Sequence, residues 1–188
     1  MIDRGAASKY LVGKLTDELV VTSLGNEKYD LRAGGERDRN FYNWNAMGMA
    51  SSMGLGLAMA RPDLKVIVYD GDGSLLMNLG SLATIASREP KNLIHIVWDN
   101  RSYAMTGGQA TATAFHTDLA KMAAGAGYPK VERVETLAEF QRAADRALTE
   151  PGPWFIHCLI EETPVKGGGL ASPTAIKHRF MDAIGARH

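Results

Sequence analysis

Two stretches, VIVYDGDGS at residues 66–74 and LIHIVWDN at residues 93–100, decide how this chain is read. Each begins as a run of β-branched and aromatic residues, the pattern of a strand buried on both faces. The first run ends in Gly71, Asp72, Gly73 and Ser74, where two glycines bracket an acid and the chain has to turn; the second ends in Asp99 and Asn100. Residues 75–88 between them carry apolar side chains at helical spacing. The unit reads strand, loop, helix, strand, loop. If the two strands are adjacent and parallel, both loops lie at carboxyl ends, the edge at which open α/β sheets bind ligands.

Working outward, residues 3–16 read as a helix and 19–22 as a first buried strand that runs into Ser23, Leu24, Gly25, Asn26 and Glu27. Residues 30–40, rich in Gly and charge, read as an exposed loop. Residues 46–60 hold too many glycines to be helical on propensity alone, since each costs about 1 kcal/mol relative to Ala. Their small side chains predict close packing against the sheet or a partner. On the far side, 101–116 has no clear period and reads as a long loop of the functional or mobile kind. Residues 117–125 form a helix capped by Thr117, 130–134 a short strand, and 136–148 a helix with Thr136 and Glu139 spaced as a capping box. Pro151 and Pro153 end it, 154–160 is a last strand, 161–172 a linker containing Gly167, Gly168 and Gly169, and 173–184 a final helix. The expectation is one α/β domain over 1–188, an open, mainly parallel sheet of five strands in three layers with helices on both faces, and 161–188 as a C-terminal linker and helix.

Composition narrows the function classes. The 188 residues balance 21 Lys+Arg against 21 Asp+Glu, so no nucleic-acid or membrane-attracting charge is present. The single cysteine, Cys158, rules out an internal disulfide framework and a cysteine-ligated iron–sulfur cluster, and its apolar run makes it inert core. Met1 is followed by Asp3 and Arg4 rather than a basic and a long apolar segment, which makes the cytoplasm the expected location.

The chemistry of the two tips follows from their residue types. A glycine-flanked Asp72 and an Asn100 after the neighbouring strand offer hard oxygen ligands that suit Mg²⁺, which takes a few oxygens from protein and the rest from phosphates and water. Gly73 and Ser74 can point backbone N–H groups at an anion. Taken alone, the same glycines also fit an ordinary turn. A Rossmann fingerprint is weak here, because Met59 stands where a third glycine is needed after Gly54 and Gly56.

Asp72 and Asn100 lie 28 positions apart, and GDGS, an apolar strand and then an asparagine resemble the signature of the thiamine diphosphate-dependent decarboxylase and acetolactate synthase superfamily. The runs NAMGMASSMGLGLA, DGDGSLLMNLGSLATI and TGGQAT with AGAGYPKV are similar to the C-terminal, diphosphate-binding half of phosphonopyruvate and sulfopyruvate decarboxylases, over residues 19–160. The resemblance implies the thiamine diphosphate-binding fold. It implies that Asp72, the Asn100 side chain and the Ser102 carbonyl bind Mg²⁺, and that Gly71, Gly73 and Ser74 hold the diphosphate. Met47, in the Ala46-Met47-Gly48 segment, would wedge between the cofactor rings, with the Ala46 carbonyl meeting the aminopyrimidine. Two departures stand out: Asp99 where the family commonly has asparagine, and Asn45, Ala46, Met47, Gly48 in place of GSMG.

The glutamate that activates thiamine diphosphate in this superfamily comes from a separate pyrimidine-binding domain. Glu27 falls in the diphosphate half and is not assigned that role. The resemblance therefore implies a β subunit whose active site forms against an α subunit carrying the pyrimidine domain, with at least two of each chain. The implied reaction is decarboxylation of a small anionic 2-oxo acid, 3-sulfopyruvate or 3-phosphonopyruvate, to the aldehyde and CO₂. Carboligation of the acetolactate synthase kind, or a silent cofactor-binding or regulatory subunit, are the competing readings. Further candidates for substrate contact are Gln109, beside Gly107 and Gly108, and His116, although a lone loop histidine is more often a surface residue. His95 and His157 read as core, His178 and His188 as peripheral, and Met49, Met53 and Met59 as packing.

Overall fold

The computed structural model describes residues 1–161 and 169–186. The chain runs through α1 (Arg4–Val12), β1 (Leu19–Thr22), α2 (Glu27–Gly34), β2 (Asn40–Tyr42), α3 (Ala50–Ala60), β3 (Val66–Gly71), α4 (Asp72–Leu76), α5 (Gly80–Arg88) and β4 (Leu93–Asp99). The short β5 (Ser102–Tyr103) and β6 (Gln109–Ala110) pair antiparallel, and a 3-10 turn spans Ala112–Ala114. Then follow α6 (Leu119–Ala126), β7 (Lys130–Val134), α7 (Leu137–Thr149), β8 (Trp154–Leu159) and α8 (Pro173–Ala183).

The main sheet has the order β2-β1-β3-β4-β8-β7 with every neighbouring pair parallel. Side chains alternate between its faces, as the pleat requires. Val20, Ile67, Tyr69, Ile96, Trp98 and Ile156 pack on one face with α1, α2 and α7, while Leu19, Val66, Val68, Val97 and Phe155 pack on the other with α3, α5, α6 and α8. The expected three-layer α/β architecture with helices on both faces is present. No helix among the described residues is long and apolar enough to cross a membrane.

Several local expectations need correction. The sheet has six strands, not five: β2 is three residues long, and pairing with β1 rather than any periodicity of its own makes it a strand. Residues 30–40 are not an exposed loop, because α2 extends to Gly34 and buries Leu31, and Asn40 begins β2. The helix expected over 75–88 begins at Asp72 and is broken at residues 77–79, where the Asn78 amide donates to the Gly48 carbonyl at 2.9 Å and the Ser52 hydroxyl at 3.1 Å. Asp118, not Thr117, caps α6, accepting from the Lys121 amide at 3.1 Å. Met49 and Met59 are 45% and 55% exposed rather than packed.

Other readings hold. The Thr136–Glu139 capping box opens α7 and both of its bonds are made. The glycine-rich segment packs as expected: α3 lies so close to β3 that a Cβ on Gly54 would come 2.2 Å from Val68 Cγ2. Cys158 is fully buried and its thiol is pushed well up by burial. The linker over 161–172 lies largely outside the described residues, as does His188.

Candidate active site

From β1 the chain moves outward to β2 and returns on the other side of β1 as β3. Strand order reverses there, leaving a crevice beyond the carboxyl ends of β1 and β3. An open cleft of about 570 Å³ occupies it. One wall is Ser23–Glu27 with Arg4 of α1; the opposite wall is Gly71–Ser74, Asn100 and residues 102–106, with Trp98 and Met47 completing the lining.

The residues predicted for the site converge on this cleft. Gly71, Asp72, Gly73, Ser74, Asn100, Ser102 and Met47 all line it. Gly48 does not, but its amide donates to the Ser74 hydroxyl at 3.1 Å and binds the Ala46–Gly48 loop to the Gly71–Ser74 turn. The Ala46 carbonyl accepts from the Asn43 side chain at 2.7 Å. A Cβ on Gly73 would meet the Tyr103 ring at 2.5 Å, so only glycine lets β5 approach this turn. Gln109 and His116 are exposed and outside the cleft lining. His178 is exposed, and His95 is core, between Asp70 at 3.4 Å and the Tyr128 hydroxyl at 3.5 Å.

Asp72 is 2% exposed, and its Oδ2 accepts from Thr111 at 2.6 Å and lies 3.3 Å from Thr113 Oγ1. The two threonine hydroxyls are 2.8 Å apart, and Thr113 reaches Asp99 Oδ1 at 2.8 Å. Asp99 Oδ2 lies 2.7 Å from His157 Nε2, a ring nitrogen that donates to it. Burial, then the nearby Asp99 charge, push the Asp72 carboxyl up to about 7. Burial alone would also raise Asp99, but bonds from His157 and Thr113 outweigh it and hold that carboxyl low. The chain of contacts from Asp72 through Thr111 and Thr113 to Asp99 offers three short oxygen pairs but two hydroxyl hydrogens. With Thr111 donating to Asp72 and Thr113 to Asp99, both hydroxyl hydrogens are used, and the 2.8 Å Thr111–Thr113 pair is a close contact between the two oxygens.

Across the cleft, the Glu27 carboxyl accepts from the Ser23 hydroxyl at 2.7 Å and the Gly25 amide at 3.0 Å. Burial pushes it up, partly offset by the Ser23 bond, by its own backbone amide and by Arg4. Arg4 donates from Nε to Asp30 at 2.5 Å. Sequence reasoning did not assign Arg4, Tyr103, Thr111 or Thr113 to the site. Thr111 and Thr113, two apart in a loop, carried a weak signal; Arg4, within a helix, carried none.

A family model described as thiamine pyrophosphate enzyme, C-terminal TPP binding domain, matches residues 31–158, which include both tips of the cleft. The chain belongs to this family. As a TPP-binding domain it is 42% identical over 176 residues to the sulfopyruvate decarboxylase subunit beta of Methanocaldococcus jannaschii, covering 89% of this chain and 88% of that one. It is 39% identical over 180 residues to the phosphonopyruvate decarboxylase of Streptomyces viridochromogenes, covering 94% of this chain but 45% of that longer protein. Among solved structures, benzoylformate decarboxylase from Polynucleobacter necessarius superposes with a TM-score of 0.70 at 20% identity, over 86% of this chain and 34% of that one, a likeness of fold.

Proposed function

We propose that this TPP-binding domain is the β subunit of a thiamine diphosphate- and Mg²⁺-dependent decarboxylase acting on 3-sulfopyruvate or 3-phosphonopyruvate, releasing the aldehyde and CO₂. The observation that carries the reading is the convergence of Asp72, Ser74, Asn100, Ser102 and Met47 on one cleft at the β1–β3 switch point. The similarity to proteins named for those two substrates supports the choice of substrate.

The residues present fit the cofactor. Asp72, buried beside a second carboxylate, is a site where a divalent cation offsets charge that burial otherwise penalises. The Ser102 hydroxyl is buried without a hydrogen-bond partner, and nothing lies within 4 Å of where a Cβ on Gly71 would stand. No group of three or more His, Cys, Asp or Glu side chains among the described residues could hold a metal, so the donor set suits a cation shared with phosphate oxygens. Asp72, the Asn100 side chain and the Ser102 carbonyl would hold Mg²⁺, and Gly71, Gly73 and Ser74 the diphosphate. Met47 would support the bent cofactor, with Ala46 and Gly48 positioning that loop. When bound, thiamine diphosphate supplies the electron sink for loss of CO₂. The chain's own part is to anchor the diphosphate, fix the cofactor's orientation and exclude water. Gln109 and His116 are candidates for substrate contact from the exposed loop.

A partner α subunit carrying the pyrimidine-binding domain would provide the activating glutamate, in an assembly with at least two of each chain. Two observations support it: a relative of matching length is named a subunit, whereas the longer phosphonopyruvate decarboxylase is matched over 45% of its length. Trp44, Met49, Met77, Met105 and Phe115, on segments flanking the cleft or its loops, are exposed apolar side chains suited to a partner. A cytoplasmic location is part of this reading. In the test, the chain is mixed with the pyrimidine-domain subunit, Mg²⁺ and thiamine diphosphate, and aldehyde is assayed from each substrate. Decarboxylation that needs both chains and is lost in Asp72→Ala is expected; full activity of the complex with Asp72→Ala would overturn the assignment.

A further inference from the structure

The family resemblance left Asp99 without a role, and the tertiary structure surrounds it with partners on three sides. Its Oδ1 accepts from Thr113 at 2.8 Å and from the Arg101 amide at 2.9 Å, while its Oδ2 faces His157 Nε2 at 2.7 Å. The Thr113 bond leads through Thr111 to Asp72. The Arg101 bond fixes the turn carrying Asn100 and Ser102, where Arg101 itself is held at φ +62°. Asp99, through Thr113, thus ties both tips of the cleft together, and His157, from β8, holds it in place. His157 is 2% exposed; its Nδ1 has no hydrogen-bond partner, and Asp118 Oδ1 is 3.9 Å away, so the Asp99 bond orients the ring.

We propose that His157 is a positioning residue for the cation site, fixing the orientation of the Asp72 carboxylate and the Asn100–Ser102 turn through Asp99 and Thr113. The inference rests on the Mg²⁺–diphosphate reading of the cleft. Groups behind a metal's ligands set ligand direction by hydrogen bonding, and their loss typically lowers metal affinity about 10- to 100-fold. His157 and Thr113 would act in series, because neither touches the cation, His157 holds Asp99, and Thr113 links Asp99 to Asp72.

The test is a Mg²⁺ titration of the chain assembled with its pyrimidine-domain subunit at saturating thiamine diphosphate, read by the change in intrinsic tryptophan fluorescence, to which Trp98 in the cleft lining contributes. Wild type is compared with His157→Leu, His157→Gln, Thr113→Val and the Leu/Val double variant, with Tm measured without Mg²⁺. His157→Leu and Thr113→Val should each raise the Mg²⁺ half-saturation about tenfold or more. The double variant should add little to either, and His157→Gln, which retains a donor, should recover most of the loss. Lower Tm with unchanged Mg²⁺ half-saturation in both single variants would make these residues merely structural and overturn the proposal. Should His157→Leu not fold, Thr113→Val carries the same test. Absence of a Mg²⁺ response in wild type would instead overturn the reading of the cleft beneath it.

Discussion

The backbone amide of Gly48 donates to the hydroxyl of Ser74 at 3.1 Å, clamping the loop before α3 to the turn that opens α4. Through this bond the residue proposed to support the cofactor rings, Met47, takes its position from the segment proposed to hold the diphosphate.

Gly48 has φ +83°, and a Cβ there would lie 3.1 Å from Met77 Cβ. Gly48→Ala therefore combines a left-handed backbone with a tight contact and should cost about 1–2 kcal/mol, measured by urea unfolding. It should also raise the half-saturation for thiamine diphosphate, because Met47 moves with the loop.

A methyl at position 73 would strike the Tyr103 ring at 2.5 Å. Gly73→Ala is expected to lower stability by about 1–3 kcal/mol, the range for overpacking. Adding Tyr103→Ala should relieve the clash, so melting temperatures of the single and double variants should show strong non-additivity.

Asp72 carries a stability–function conflict. Its carboxyl is raised from 3.8 to about 7 in the folded chain, so the cation-free protein loses stability from this group as pH rises through that interval. Asp72→Asn removes the buried charge. Without Mg²⁺ it should be more stable than wild type at pH 8, by chemical denaturation, and it should show no Mg²⁺-dependent stabilisation with thiamine diphosphate.

Glu27 predicts a second slope of the same sign. Burial raises its folded pKa above 4.5, so its contribution is fully present below that value and declines as pH rises toward the folded pKa. Glu27→Gln keeps acceptors for Ser23 and Gly25 but cannot ionise. Its unfolding free energy should fall less steeply than wild type as pH rises above 4.5; an unchanged slope would mean another group sets it.

The parts legible in the sequence were those whose signal is local. The β-branched runs of β3 and β4 announce buried strands, and the glycines around Asp72 announce a turn, because strand burial and turn chemistry act over a few residues. The β2 strand was not legible, since three residues become a strand only when β1 offers them partners. The break between α4 and α5 was hidden for a similar reason: Asn78 is drawn to Gly48 and Ser52, thirty and twenty-six residues away. His157 read as a core histidine, and it is buried, but nothing near it in the chain pointed to Asp99.

By itself the sequence determined the alternating α/β pattern and the chemistry offered at each strand end: an acid between glycines at Asp72, an amide at Asn100, a thioether at Met47. Only the tertiary structure decided that these ends share one cleft with Arg4 and Glu27, and that Thr111, Thr113 and His157 join Asp72 to Asp99. The reason is physical. Residue type sets which bonds a group can make, but desolvation and hydrogen bonding depend on neighbours from other elements, so the raised carboxyl of Asp72 and the low one of Asp99 exist only once the sheet is assembled.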